Sequence, residues 1–251
     1  MLKIENVVFQ PPKRNASEYK DVFAIPCSCK HATVMARWHQ VNHPAGAILF
    51  SHGNGEDLGG AQAEFAEKLA LSTGMCVLSY DYCGYGFAGG EPSEKCCLDN
   101  IYACYQWLVE QRYVTPDRIY IMGHSLGCVP SIWMAATQPS AGLIVCSPFF
   151  SLRALALHYY GPTATFLAGL LANLSGFCND KRAKHVLCKV FIYHGSEDTV
   201  IPIEQAEKLS GLFGGPVTKC WVKAGHNDVF SHMNWLIFTQ KFAAWRLNKT
   251  L

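Results

Sequence analysis

Ile119-Tyr-Ile-Met-Gly-His-Ser-Leu-Gly-Cys128 runs from an apolar stretch into Gly-x-Ser-x-Gly. At a sharp strand-to-helix turn this pattern lifts a serine hydroxyl above the end of a sheet, where a helix N-terminus favours developing negative charge. A serine hydroxyl is a weak nucleophile until a base takes its proton. The chemistry therefore asks for a histidine, and for an acid to orient it, each in a loop after a strand. Downstream, VFIYHGSEDTVIP offers Asp198 and WVKAGHNDVF offers His226. Ser125, Asp198 and His226 thus stand in the order nucleophile, orienting acid, general base. Glu197 neighbours Asp198, but the H-G-x-x-D spacing favours Asp198. Asp228, two residues past His226, reads as a support of its own loop.

Attack on an acyl carbon also needs donors aimed at the oxyanion, each worth about 2.7–4 kcal/mol. The backbone N–H of Leu126, next after Ser125, supplies one. The second is expected from Asn54, in the His-Gly-Asn-Gly turn after the apolar run Ala47–Ser51. His52, His124 and His194 flank these turns, and each reads as packing or loop support. No metal or cofactor is expected, because no CxxC pair appears and neither Cys27-x-Cys29 nor Cys96-Cys97 has a second half at zinc spacing.

The elements that must carry these groups follow from the hydrophobic pattern. Leu2–Phe9, Val22–Ile25 and Thr33–His39 read as strands. From Ala45 onward strand and helix alternate. Strands are expected at Ala47–Ser51, Met75–Asp81, Arg118–Met122, Gly142–Cys146, Val190–His194 and Val217–Val222. Helices are expected near 61–72, 93–112, 126–137, 203–213 and 232–247. Near-continuous apolar strands alternating with helices imply a mostly parallel twisted sheet covered on both faces, with the first strands extending one edge antiparallel. That pattern, with the order Ser, Asp, His, is the α/β-hydrolase fold, read here as a single domain over residues 1–251. Between residues 149 and 185 the chain inserts far more than a short helix. Within it Ala164–Phe177 is apolar on most faces, shorter than the ~20 residues of a bilayer span, and reads either as a buried helix or as a lid.

Composition narrows the class. Hydrophobic residues make up 50% and charged residues 16%, enough for a large core, and the formal net charge of +2 with no basic stripe argues against nucleic acid. Six of the twelve cysteines (Cys76, Cys104, Cys128, Cys146, Cys188, Cys220) sit in apolar runs and read as reduced core residues of a cytoplasmic protein.

LFSHGNGEDLG, LSYDYCGYGFAGGEPSE, MGHSLGCVPS, YHGSEDTVIP and AGHNDV together resemble the alpha/beta hydrolase domain-containing protein 17 family, in order over roughly residues 47–240. The resemblance implies a serine hydrolase that removes S-acyl, chiefly palmitoyl, groups from cysteines of membrane-attached proteins, with Ser125, Asp198 and His226 as nucleophile, acid and base. Animal members of the family begin with a cluster of acylated cysteines that holds them on membranes. This sequence opens without one, and its insertion is longer and more apolar than the family's. The expected partner is an acylated protein, or a lipid or other ester, with peripheral membrane contact through the lid. The rival readings are a lipid esterase of monoacylglycerol-lipase type, a prolyl-oligopeptidase-like peptidase, and a catalytically silent binding module. No propeller domain accompanies the second, and no catalytic position is lost as the third would have it.

Overall fold

The computed structural model describes residues 8–13, 19, 21–28, 33–172, 176–231 and 235–247. Its strands are β1 (Val22–Pro26), β2 (Thr33–His39), β3 (Ala47–Ser51), β4 (Cys76–Tyr80), β5 (Ile119–His124), β6 (Gly142–Cys146), β7 (Val190–Gly195) and β8 (Val217–Val222). Among the described residues they form one eight-stranded sheet in the order β1-β2-β4-β3-β5-β6-β7-β8. β1 and β2 add antiparallel to the β4 edge, and every other pairing is parallel. Every residue of β3 to β7 is buried, whereas β1 and β8 carry exposed positions, as edge strands do.

Side-chain alternation divides the core in two. Ala47, Leu49, Ile119 and Ile121 face α2 (Glu94–Glu110) and α3 (Cys128–Thr137). Ile48, Phe50, Tyr120 and Met122 face α1 (Gly60–Thr73) and the C-terminal helix Trp235–Arg246. Helix boundaries follow local chemistry: α1 stops at Gly74, whose left-handed φ of 64° suits glycine, and Ser93 caps α2 by accepting from the Cys96 N–H at 3.1 Å. Of the six cysteines read as core residues, five are buried and Cys188 is half-buried; all are free thiols. The expected first strand lies mostly outside the described residues. Its described end differs: Val8 is helical, and Phe9 is buried against Tyr85 and Phe177.

The insertion holds α4 (Leu152–Ala172) and the short α5 (Asn179–Ala183), before α6 (Ile203–Ser210); the helix Trp235–Arg246 is α7. α4 begins well before the expected apolar segment and is two helices abutted at Gly161, whose φ of 72° and ψ of 175° are non-helical, with Pro162 opening the second. The ends of the insertion are pinned. Asn179 Nδ2 donates to Phe149 O at 2.9 Å, and Glu94 Oε1 accepts from the Phe177 N–H and from Arg182, both at 2.8 Å. No helix among the described residues is long and apolar enough to cross a membrane.

The parallel register aligns the carboxyl ends of the central strands: Ser51 pairs with Gly123, His124 with Cys146, and Gly195 with Val222. The loops after β3, β5, β7 and β8, which carry Asn54, Ser125, Asp198 and His226, therefore leave the same edge of the sheet.

Candidate active site

β5 is extended through His124 and then turns sharply: Ser125 has φ of +52°, a left-handed conformation that is strained for a non-glycine residue. A short 3-10 turn, Ser125–Gly127, leads into α3. The flanking glycines let the backbone close up. A Cβ on Gly123 would lie 2.3 Å from Gly127 O, and one on Gly127 would lie 2.1 Å from Ser51 O. Buried hydrogen bonds brace the turn, with Ser131 Oγ donating to Met122 O at 3.1 Å and Cys128 Sγ lying 3.3 Å from both Gly123 O and Cys146 O.

Ser125 Oγ lies 3.0 Å from His226 Nε2, and His226 Nδ1 lies 2.7 Å from Asp198 Oδ2. All three residues are buried. Burial tends to raise the Asp198 carboxyl. The hydrogen bonds from His194, His226 and the Ile201 N–H outweigh it and hold Asp198 below the usual carboxylate range. An ionised carboxylate only accepts, so His226 Nδ1 carries the proton and Nε2 is left to accept from Ser125. Asp198 Oδ1 is fixed by the Val200 and Ile201 N–H groups at 2.9 and 2.7 Å. Such a chain can take a proton from Ser125 Oγ and hold the resulting imidazolium. Glu197 instead points outward, 3.9 Å from Lys223, and Asp228 Oδ1 accepts from the Gly225 N–H within its own loop.

The turn after β3 packs on this elbow through Gly127, which rests against the carbonyls of Ser51 and His52. The Asn54 side chain is turned to the N-terminal segment: Oδ1 accepts from Tyr85 Oη at 2.6 Å and the Gln10 N–H at 2.9 Å, and Nδ2 donates to Val8 O. Any contribution of Asn54 to chemistry at Ser125 is therefore through its main chain, as for Leu126 in the short turn before α3. The Gly53 N–H is already engaged, donating to Glu56 Oε2 at 2.7 Å.

Two supporting groups, Glu56 and Tyr159, escape a reading of the sequence, and a third, His194, gives the loop support expected of it in a more specific form. His194 donates from Nε2 to Ile201 O at 2.8 Å and stands 3.4 Å from Asp198 Oδ2, so it steadies the acid rather than merely packing. Glu56 joins the two turns, with its second oxygen 3.5 Å from His124 Nδ1, and the His124 ring stacks on His226 at 5.4 Å. Tyr159 of α4 reaches the Asp198 loop, its hydroxyl against Thr199 O and 2.9 Å from Val200 O. Among the described residues no His, Cys, Asp and Glu cluster could hold a metal ion.

A second buried acid lies beneath the site. Asp81 accepts from the Leu58 N–H at 2.9 Å and faces His52 Nε2 at 3.6 Å. Burial pushes Asp81 up to about 8 and His52 down, so at neutral pH the pair is held uncharged. The fold favours protonated Asp81. Its contribution is complete below the unfolded value, about 3.9, and is lost as pH rises towards 8, at about 1.4 kcal/mol per pH unit. Asp81→Asn mimics the protonated acid and removes this slope. Thermal melts should show the variant gaining on the wild type between pH 5 and pH 8; a gap independent of pH would contradict the assignment.

The sequence matches the hydrolase family described as serine aminopeptidase, S33, over residues 42–176, a span that includes Ser125 and stops before Asp198 and His226. It is 35% identical to alpha/beta hydrolase domain-containing protein 17B of Xenopus laevis over 80% of this chain and 67% of that protein. It is also 35% identical to the lysophosphatidylserine lipase ABHD12 of Danio rerio, over 70% of this chain and 50% of that one. The chain thus spans about half to two thirds of the length of these curated relatives. Its fold is similar to that of the Pyrococcus furiosus esterase Pf2001, with a TM-score of 0.70 over 96% of this chain and 99% of that one at 16% identity.

Proposed function

The chain belongs to the alpha/beta hydrolase domain-containing protein 17 family, and on that premise we propose that it is a serine hydrolase cleaving acyl thioesters of proteins through an acyl-enzyme. The observation that carries this reading is the hydrogen-bonded chain from Ser125 through His226 to Asp198, with Ser125 on a strained turn. His226 Nε2 takes the proton as Ser125 Oγ bonds to the acyl carbon. The Leu126 and Asn54 N–H groups hold the oxyanion. As the tetrahedral intermediate collapses, the carbon–sulfur bond breaks and the His226 proton passes to the departing thiolate. Water, activated by His226, then releases the acid and restores Ser125.

The substrate class rests on the family and on the apolar insertion. Leu157 and Tyr160 are exposed on α4, which is tied to the Asp198 loop by Tyr159, and these support a lid that meets an acyl chain or a membrane surface. A lipid ester is the second reading, favoured by the likeness to a lysophosphatidylserine lipase. A panel of S-acyl peptides and matching glycerol esters, short and long in acyl chain, tests the choice. Each methylene buried in the site contributes about 0.8 kcal/mol. Long S-acyl peptides should therefore exceed short ones in kcat/KM by at least tenfold, and exceed the glycerol esters. Preference for the glycerol esters would replace the reading with the lipid one, and preference for short chains would remove the acyl-binding role of the insertion.

A further inference from the structure

The turn after β3 is held at three successive residues. Tyr82 Oη donates to His52 O at 2.6 Å. The Gly53 N–H donates to Glu56 Oε2 at 2.7 Å. The Asn54 carboxamide is taken up by Tyr85 Oη, the Gln10 N–H and Val8 O. The Asn54 N–H is the exception, for it meets no acceptor among the described residues. Main-chain donors are seldom left unpaired, and one held free in this turn is what a developing oxyanion requires.

Glu56 is the side chain that ties this turn to the elbow. Oε2 holds the Gly53 N–H, and Oε1 stands 3.5 Å from Nδ1 of His124, the residue before Ser125. A Cβ on Gly53 would lie 2.8 Å from the same His124 nitrogen, so the main chain next to Asn54 rests directly on the elbow. Burial tends to raise the Glu56 carboxyl, but His124 beside it and the Gly53 N–H outweigh that and bring it down to about 2. At neutral pH it is therefore a carboxylate, and both of its oxygens only accept.

Glycine has the widest backbone freedom of any residue. With its N–H released, Gly53 lets the next peptide, which carries the Asn54 N–H, turn away. We propose that Glu56 is a positioning residue for acyl transfer: by holding the Gly53 N–H against the elbow, it aims the Asn54 N–H at the oxyanion formed on Ser125. The role needs the hydrogen bond rather than the charge, and it is felt in the transition state more than in the ground state. It rests on the serine-hydrolase reading, and is the same for a thioester or an oxygen ester.

A pair of ketones with one alkyl chain tests this. Ser125 Oγ adds to the carbonyl carbon of the trifluoromethyl ketone, its proton passing to His226 Nε2 and the carbonyl electron pair to oxygen, which becomes the oxyanion. The methyl ketone binds without adding. Wild type should bind the trifluoromethyl ketone at least about 100-fold more tightly than the methyl ketone. Glu56→Ala should weaken the trifluoromethyl ketone, and kcat on a p-nitrophenyl ester, by about 10–100-fold, with KM and methyl ketone affinity within about twofold. Glu56→Gln keeps an acceptor for the Gly53 N–H and should stay within about threefold of wild type on every readout. Should Glu56→Ala fail to fold, Glu56→Asp, whose carboxylate is one methylene short of the Gly53 N–H, carries the same expectations. Equal weakening of both ketones, an undiminished preference for the trifluoromethyl ketone, or a loss in Glu56→Gln as large as in Glu56→Ala would overturn the positioning role and leave the serine-hydrolase reading standing. Wild type that binds the two ketones alike would overturn that reading and the role of Glu56 with it.

Discussion

Ser125→Ala should lower kcat on acyl substrates by on the order of 10⁶-fold, with the residual rate that of binding and oxyanion donors alone. The size follows from what the hydroxyl alone supplies. Without Oγ there is no covalent intermediate, and His226 has no proton to take at the attacking atom. The fold should tolerate the change. Among the described residues Ser125 Oγ bonds to His226, and the turn is braced by Ser131, Cys128 and the two glycines. Alanine keeps the Cβ that already sits at φ of +52°, so the strain is not relieved. Steady-state rates on p-nitrophenyl esters, with thermal melts as control, check this. A variant with wild-type turnover and an unchanged Tm would remove Ser125 from the mechanism.

Asp198→Asn should cost on the order of 10⁴-fold in kcat without loss of the fold. The amide oxygen can keep the Val200 and Ile201 N–H bonds that now fix Oδ1. The amide nitrogen then takes the place of Oδ2, 2.7 Å from His226 Nδ1, where it donates rather than accepts. His226 is driven to carry its proton on Nε2, the atom that must accept from Ser125. The loss is therefore one of tautomer rather than of position. Kinetics beside a crystal structure of the variant separate these: His226 in place with the rate lost supports the account, and His226 in place with the rate kept would refute the role of the carboxylate.

Much of the frame was legible because burial on both faces leaves a continuous apolar run. β3, β4, β6 and β8 fall at or within a residue of their expected bounds, and the αL glycine and serine cap mark helix ends that the sequence already punctuates. The N-terminal segment was not legible in the same way. Phe9 is buried by Tyr85 and Phe177, residues far along the chain, and that tertiary packing prevails over a local strand-like alternation at Val8. In the insertion, Gly161 and Pro162 fall inside α4, where a glycine with φ of 72° followed by a proline at the first position lets two helices abut ahead of the apolar segment. The site divides similarly. That Ser125, Asp198 and His226 would meet was legible in their order and spacing. Glu56 and Tyr159 were not, and His194 was legible only as packing or loop support, because such roles depend on which atom of another loop each meets. Gln62 is the extreme case. Nothing in GAQAEF distinguishes a surface glutamine from one that is buried with no hydrogen-bond partner among the described residues.

We propose that Ser125 is the nucleophile and that His226 activates it. A fluorophosphonate probe followed by peptide mass spectrometry measures both at once. The adduct should map to Ser125 in the wild type and be absent in His226→Ala. An adduct on another residue, or labelling of Ser125 that persists undiminished without His226, would contradict it.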